Sequence, residues 1–376
     1  MSLWYLLLAL YALPATLFAF QSHPAEWPEN LLREALTQYQ KGDVEVAIED
    51  YKAYLEVRPD AFEARSNLGA ALARVGRFEE AIAAYRRAIS VQADNPGVIM
   101  NLGLAYYKMG RFTEAVEQWS TAHTLLPANR QITMLLADAE VHLGENAKVI
   151  ALLGPAAQIE AQDLGAAYLL GTALIADHQP AEAQGLVEHI MKNGDSAEAR
   201  ILLGTLELQR GDFMAAVADL QRATELDPKL PNVFSAYGSA LLSRGESDRA
   251  EAAFRRELES NPNDFLTHLD LGFLLKQTQQ YEDALTHFRR ALELRPGDIA
   301  VRYQIASIHL LTGDLKAAAT ELESVTHDSP QFIAAHVSLT TAYYRLKRKD
   351  EGDRERALVQ KLNGEAHQSD AEPLRL

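Results

Sequence analysis

The feature that most constrains this chain is a turn residue that recurs about every 34 residues. The stretch GRFEEAIAAYRRAI, which begins at Gly76, returns 34 positions later as GRFTEAVEQWSTAH and again, altered, from Gly211 and Gln279. A fixed period of this length indicates a row of similar supersecondary units, each of which buries its apolar face against its neighbours. The turn residues are Gly42, Gly76, Gly110, Gly144, His178, Gly211, Gly245, Gln279, Gly313 and Lys347. Every step is 34 except the one from His178 to Gly211, which is 33.

Other columns align once the turn residue is numbered position 15 of a repeat. Ten repeats then begin at Pro28, Phe62, Pro96, Arg130, Leu164, Ala197, Pro231, Phe265, Ile299 and Ile333. Positions 8 and 20 are mostly Gly or Ala, position 24 is large and apolar, and position 32 is often proline. Small residues let two helix backbones approach, and the large residue fills the space beside them. Glycine at position 15 suits a left-handed helix cap, and the later proline ends a second helix.

These columns together resemble the tetratricopeptide repeat, a helix–turn–helix unit of 34 residues. The resemblance spans residues 28–363 and implies an all-α fold, a right-handed α-solenoid of about ten such repeats. At one repeat start, Asn95 followed by Pro96 also predicts an N-cap with proline in the first helical position.

The repeat pattern weakens in the middle of the chain and at its end. Gly154 and Pro155 fall inside the predicted second helix of repeat four, and repeat five is one residue short. We expect a softer joint or altered stacking over residues 144–196, although a tolerated kink without a role also fits. The charged second helix of repeat ten predicts a solvent-facing cap, and residues 364–376 are expected to form a disordered tail.

The first residues carry a separate signal. Leu3 to Phe20 is an uncharged, mostly apolar run, and Pro14 lies near its end. Residues 1–19 are therefore interpreted as a secretory signal peptide, cleaved after Ala19, or as a retained membrane anchor, with 20–27 as a linker. Either reading places the protein outside the cytoplasm (periplasmic, extracellular or membrane-anchored) and favours a bacterial source. A cytoplasmic location is the alternative if this segment is misread.

Composition narrows the partners. The formal net charge is −16, which disfavours nucleic acid because phosphate binding needs surplus Lys and Arg. The chain has no cysteine, so disulfides, thiolate metal sites and cysteine nucleophiles are excluded. Membrane contact is expected only through the N-terminal segment, if it is retained.

The surface that remains for function lies on the first helix of each repeat. Positions 4, 7, 8 and 11 form the packed arc, whereas positions 2, 5, 6, 9, 12 and 13 form a second arc, the groove face, that resembles the lining of the family's inner groove. On this face the candidate partner-binding residues are Asn67, Arg74, Asn101, Tyr107, Lys108, Phe273, Tyr303 and Tyr344. The two asparagines offer a donor and an acceptor to a peptide backbone, or merely suit the repeat. The aromatic residues are peptide anchors or lie partly buried between repeats.

One family specialisation is disfavoured. Members that bind chaperone C-termini hold a carboxylate with Lys, Asn and Arg at set groove positions. Here the corresponding residues of repeats two to four are Ser66, Ala70, Asn101, Met134 and Asp138, of which only the asparagine fits.

No catalytic chemistry is indicated. The sequence contains no nucleotide-binding loop, no HExxH and no GxSxG, and no two histidines lie four apart on one helix. We expect no catalytic residues, no metal and no cofactor. The sequence instead predicts a non-enzymatic scaffold that binds peptide or protein partners in its groove and organises an envelope or secretion complex. The alternative is an accessory subunit of an envelope polysaccharide or glycosylation enzyme that contacts glycan or the synthase.

Overall fold

The computed structural model describes residues 29–154, 159–160, 162–192 and 194–371, with side chains through residue 364. Throughout these residues the regular elements are α-helices. In chain order they are α1 (Glu29–Lys41), α2 (Val44–Val57), α3 (Phe62–Arg74), α4 (Phe78–Val91), α5 (Pro96–Lys108), α6 (Phe112–Leu125), α7 (Arg130–Leu143), α8 (Asn146–Leu153), α9 (Leu164–Ala176), α10 (Pro180–Met191), α11 (Ala197–Arg210), α12 (Phe213–Leu226), α13 (Val233–Ser243), α14 (Ser247–Ser260), α15 (Phe265–Gln277), α16 (Tyr281–Leu294), α17 (Ile299–Thr312), α18 (Leu315–Asp328), α19 (Ile333–Arg345) and α20 (Lys349–Ala371).

Successive helices pair into the ten predicted repeats, which confirms the all-α solenoid. Odd-numbered helices are the first helices of the repeats and even-numbered helices are the second. The described residues divide into two compact parts, one that ends at Ala240 and one that begins at Leu241. In the first part a continuous apolar core runs from Ala35 to Ala139, and in the second part a core cluster extends from Ala306 to Tyr343.

The turn between the two helices of a repeat has one backbone conformation along the whole chain. All ten turn residues have a positive φ, from 58° at His178 to 94° at Gly42. The next amide closes the cap: Arg77 N donates to Leu72 O at 2.9 Å, and Gln280 N donates to Leu275 O at 2.8 Å. This is the Schellman arrangement, which satisfies carbonyl groups at a helix end. Gln279 adopts the same left-handed φ despite its Cβ, because the packed helix pair imposes the turn.

The helix pair is held at close distance by the columns that the sequence predicted. A Cβ added to Gly69 would lie 2.6 Å from the Tyr85 ring, and one added to Gly272 would lie 2.7 Å from the Phe288 ring. Both rings are fully buried. Position 8 is therefore small because the residue at position 24 rests directly on its backbone.

The predicted N-cap of repeat three is confirmed. Asn95 Oδ1 accepts a hydrogen bond from Val98 N at 3.1 Å, and Pro96 occupies the first helical position. Asp264 caps α15 in the same way through Thr267 N at 2.6 Å. Each cap satisfies an amide that the helix leaves without an intrahelical partner.

The irregular repeats four and five show the altered stacking that the sequence predicted. Helix α8 has only 8 residues and ends at Leu153, and the following Gly154 has a φ of 79°. A Cβ on Gly171 would lie 2.5 Å from Leu202, which belongs to the first helix of the next repeat and not to its own second helix. Whether this joint is also softer stays a prediction.

Two boundaries differ from the sequence expectation. The first helix of repeat seven begins at Val233 and not at Pro231, because Asn232 has a left-handed φ of 64°. The disordered tail expected from residue 364 is wrong for its first residues, since α20 continues to Ala371. Residues 364–371, GEAHQSDA, contain no proline that would end the helix.

The predicted signal or anchor at 1–19 and the linker at 20–27 lie outside the described residues. Among the helices that are described, none combines the length and apolarity that crossing a bilayer requires.

The contact between positions 8 and 24 predicts opposite effects for two glycine-to-alanine changes. Gly272→Ala should destabilise the protein by about 1–3 kcal/mol, because the new Cβ meets the Phe288 ring. Gly185→Ala, on an open helical surface, should stabilise it by about 0.5–1 kcal/mol through helix propensity. Urea unfolding followed by circular dichroism measures both, and changes of the same sign would contradict the close-approach account.

Candidate functional site

Two asparagine side chains of the groove face are available for a ligand. Asn67 on α3 and Asn101 on α5 occupy position 6 of repeats two and three and are half-buried. Among the described residues neither side-chain amide has a hydrogen-bond partner. A side-chain amide without such a partner can offer two N–H donors and a carbonyl acceptor to a ligand. These two residues therefore form a row, the amide row, with one unbonded amide for each repeat.

The Tyr107 side chain instead bridges two repeats. Its hydroxyl donates to Asp138 Oδ2 at 2.5 Å and lies 3.0 Å from His142 Nε2, both on α7. The ring also packs edge-on against Phe112, with 5.2 Å between the centroids. Of the two readings left open by the sequence, the structure supports the one in which this tyrosine is partly buried between repeats.

Lys108, which follows Tyr107 in the sequence, is also partly buried. Burial lowers the pKa of Lys108, and the nearby Asp138 carboxylate opposes that shift. Asp138 thus contacts the tyrosine hydroxyl and lies near the ammonium group. Such a polar network stiffens the junction of repeats three and four.

Arg74 also contacts the preceding repeat. Its guanidinium donates to Tyr39 O at 3.3 Å and lies 5.1 Å from the centre of the Tyr39 ring. The same register recurs where Arg345 donates to Leu310 O at 2.7 Å. Position 13 therefore satisfies a carbonyl at the end of the preceding first helix, and its role here is structural.

In the second compact part the predicted aromatic residues differ in exposure. Phe273 packs edge-on against Phe288 at 5.6 Å, and Tyr303 packs against Phe332 at 4.9 Å. Tyr344 is more open, with 36% of its surface exposed, and its hydroxyl donates to Asp353 at 2.6 Å. Phe273 and Tyr303 therefore belong mainly to the packing of their repeats, whereas Tyr344 is partly exposed to solvent.

The groove face is apolar and buried in the middle of the first compact part. In repeats four to six, positions 5 and 6 are buried: Met134, Leu135, Tyr168, Leu169, Ile201 and Leu202. Even Met100, next to the amide row, is only 5% exposed. In this part, accessible polar side chains at position 6 therefore occur in repeats one to three, and the two asparagines among them lie in repeats two and three.

The structure also contains a set of polar side-chain pairs, each joining the two helices of one repeat, that the sequence did not predict. Position 4 faces position 23 of the same repeat, and the pairs are Arg200–Asp219, His268–His287, Arg302–Glu321 and His336–Glu355. His336 Nδ1 lies 2.6 Å from the glutamate, and its Nε2 lies 3.1 Å from Pro330 O. Comparing columns 4 and 23 in the sequence would have revealed them. They fasten the two helices of a repeat and the loop before it.

One of these pairs consists of two histidines. The Nδ1 atoms of His268 and His287 are 3.0 Å apart, and His268 Nε2 lies 3.0 Å from Pro262 O. Burial, together with the neighbouring His268, lowers the pKa of His287 to about 4. The pair is therefore neutral near pH 7, which suits a structural contact. No group of three or more metal-binding side chains occurs in the described part of the chain.

Two glutamates occupy the buried position 11. Glu140 is 6% exposed, and its Oε2 atom has no hydrogen-bond partner. Burial raises its pKa to about 7, an effect that Lys148 opposes and Glu145 reinforces. The pKa of Glu207 is likewise raised to about 7, by burial and by the carboxylate of Asp219. Glu140 is buried and Glu207 is half-buried, and each is accommodated because burial favours its neutral, protonated form.

Comparison with known proteins identifies the repeat. One family model, described as tetratricopeptide repeat, matches residues 32–97, 100–153, 168–231, 201–265 and 235–299, and a second with the same description matches 275–343. No curated protein matches the chain. The two repeat models together cover most of the sequence, so the family assignment depends on them.

Solved structures with similar helical arrangements are distant. The Cut9–Hcn1 hetero-tetramer of the APC/C matches with 12% identity and a TM-score of 0.49, over 90% of this chain and 87% of that one. Yeast Tom70 matches with 18% identity and a TM-score of 0.40, over 90% and 77% of the two chains. A tetratricopeptide repeat protein from Parabacteroides merdae matches with 18% identity and a TM-score of 0.39, over 75% and 98%.

The buried Glu140 predicts a pH-dependent stability. Its pKa is about 7 in the folded state and 4.5 for the free side chain, so the fold prefers the protonated form. That stabilisation is complete below the unfolded pKa and is lost as the pH rises through 7. At pH 8.5, Glu140→Gln should therefore be more stable than the parent by up to about 3 kcal/mol, with the difference vanishing towards pH 4.

Urea unfolding at several pH values measures this difference. The exposed Glu117→Gln, which makes the same chemical change on α6 of the neighbouring repeat, is the matched control. A Glu140→Gln effect that is constant between pH 5 and 8.5 would contradict the titration.

Proposed function

Because the chain belongs to the tetratricopeptide-repeat family, whose repeats are typically non-catalytic protein-interaction scaffolds, we propose that it binds an extended segment of a protein partner along repeats two and three. The observation that carries this proposal is the amide row, in which Asn67 and Asn101 lack hydrogen-bond partners among the described residues. The other groove-face candidates of the first compact part, such as Tyr107 and Arg74, already hold neighbouring repeats together.

The spacing of the amide row suits a peptide backbone. Packed helices lie about 8–10 Å apart, and an extended chain advances about 3.4 Å per residue. Two equivalent asparagines in consecutive repeats therefore reach peptide groups about three residues apart. An amide side chain can donate to a peptide carbonyl and accept from a peptide N–H at once, so affinity comes from the backbone and depends little on the partner's sequence.

The partner is a protein and not a nucleic acid, because the net charge of −16 opposes phosphate binding. We place the scaffold outside the cytoplasm, exported or tethered to a membrane, in a complex of the cell envelope. Support comes from the uncharged apolar run from Leu3 to Phe20. In this arrangement the repeats face the compartment where their partners fold or assemble.

The amide row is tested by the double variant Asn67→Ala/Asn101→Ala. Each lost amide–backbone hydrogen bond costs about 0.5–1.5 kcal/mol, so the double variant should weaken partner binding by about 5- to 150-fold. Partners captured by crosslinking in the native host, and then measured by calorimetry with the purified chain, provide the readout. Gln118→Ala, which removes an amide from the second helix α6, is the matched control. Equal binding by the double variant and the control would contradict the proposed site.

The location is tested by N-terminal sequencing of the native protein. Export with cleavage predicts a chain that lacks Met1 to Ala19, and a retained anchor predicts the complete segment in the membrane fraction. An intact N-terminus on a protein found only in the cytoplasm would contradict the envelope assignment.

A further inference from the structure

Exposed aliphatic side chains recur at one position of the first three repeats. Position 30 holds Val57, Val91 and Leu125, which are the last residues of α2, α4 and α6. They are 44%, 47% and 39% exposed, and Leu126, the residue after Leu125, is 41% exposed. We call these four residues the apolar edge, since they line the side of the repeats where second helices end.

The repeat itself does not require this exposure. At the same position, Ile159 of repeat four and Leu294 of repeat eight are buried, whereas Ser260 and Asp328 of repeats seven and nine are polar. A solvated helix end is thus compatible with polar residues, and aliphatic exposure in three consecutive repeats has a cost in solubility. The apolar edge therefore indicates a contact with something outside the described chain.

The chain enters the described structure beside this edge. Glu29, the first residue of α1, lies with its Oε1 atom 3.7 Å from the guanidinium of Arg58, which directly follows Val57. The residues before Glu29 therefore connect to the fold next to the apolar edge. They include the run from Leu3 to Phe20, which as a helix would be about 27 Å long and nearly spans the hydrocarbon core of a bilayer.

We propose that the apolar edge contacts the surface of the lipid bilayer in which Leu3 to Phe20 is anchored. This inference rests on the retained-anchor form of the proposed function. The eight residues from Gln21 to Pro28 span at most about 28 Å, so the first repeats stay within reach of the bilayer. The four aliphatic side chains then enter the interfacial region and turn the ends of α2, α4 and α6 towards the membrane.

A bilayer fits these residues better than a protein partner does. A stable protein interface buries about 1,000 Å² or more, which four side chains fall far short of providing. Lipid contact has no such threshold, because each buried methylene adds about 0.8 kcal/mol to an existing anchor. The contact is apolar and not electrostatic, since a chain of net charge −16 gains nothing from anionic headgroups.

Fluorescence labelling tests this contact on the complete chain. The sequence contains no cysteine, so Val91→Cys and Leu125→Cys each carry a single environment-sensitive fluorophore. The matched control is Ala83→Cys, exposed on the same helix α4 but away from its end. In phosphatidylcholine vesicles, emission from 91 and 125 should shift to the blue and be quenched by nitroxide-labelled lipid, whereas emission from 83 should do neither.

Several results would overturn the inference. The bilayer contact is refuted if the chain does not bind the vesicles, or if it binds but the fluorophores at positions 91 and 125 are not quenched. A blue shift without vesicles points to another occupant: to a second copy if it depends on protein concentration, or to the chain's own segment if deletion of residues 1–20 abolishes it. Partner binding through the amide row is measured on the same samples. Loss of partner binding with quenching intact would refute the scaffold site and leave the bilayer contact standing.

Discussion

The contact on which this molecule depends is the one between the small residue at position 8 of a first helix and the large side chain at position 24 of the second helix in the same repeat. Gly69 under Tyr85 and Gly272 under Phe288 leave no room for a methyl group. This contact sets the distance and register of each helix pair, and the left-handed turn follows from it, even at Gln279, where a Cβ is present. Each repeat is then stabilised further by packing against the repeats on either side of it.

The same register decides which groove-face side chains remain available. Once first helices stack at a fixed spacing, position 12 of one repeat meets positions 9 and 13 of the next, as Tyr107 meets Asp138 and His142. Position 13 meets a preceding carbonyl, as Arg74 does. These residues already make contacts at the junctions between repeats. In the first compact part, the proposed partner is therefore bound by the unbonded amides at position 6.

The repeats that depart from the regular pattern differ from those that contain the proposed contacts. In repeats four to six, positions 5 and 6 of the groove face are buried, and there the stacking changes: Gly171 contacts Leu202 of the next repeat. Buried Glu140 lies in the same region, where burial raises its pKa to about 7. By contrast, repeats one to three keep both an accessible groove face and the apolar edge. The proposed binding and membrane contacts therefore fall in the most regular repeats.

The sequence alone determined the fold class, the ten repeats, the turn positions, the close-packed columns and the cap at Asn95, because each of these is local or recurs with the period. It did not determine that Tyr107 is hydrogen-bonded to the next repeat, that His268 meets His287, that burial raises the pKa of Glu140, or that α20 continues to Ala371. The tyrosine contact, the histidine pair and the raised pKa of the glutamate depend on distances between helices and on burial from several sides. A side chain's column gives its direction from the helix axis, but only the packed neighbours decide whether it meets solvent, a partner group or another repeat.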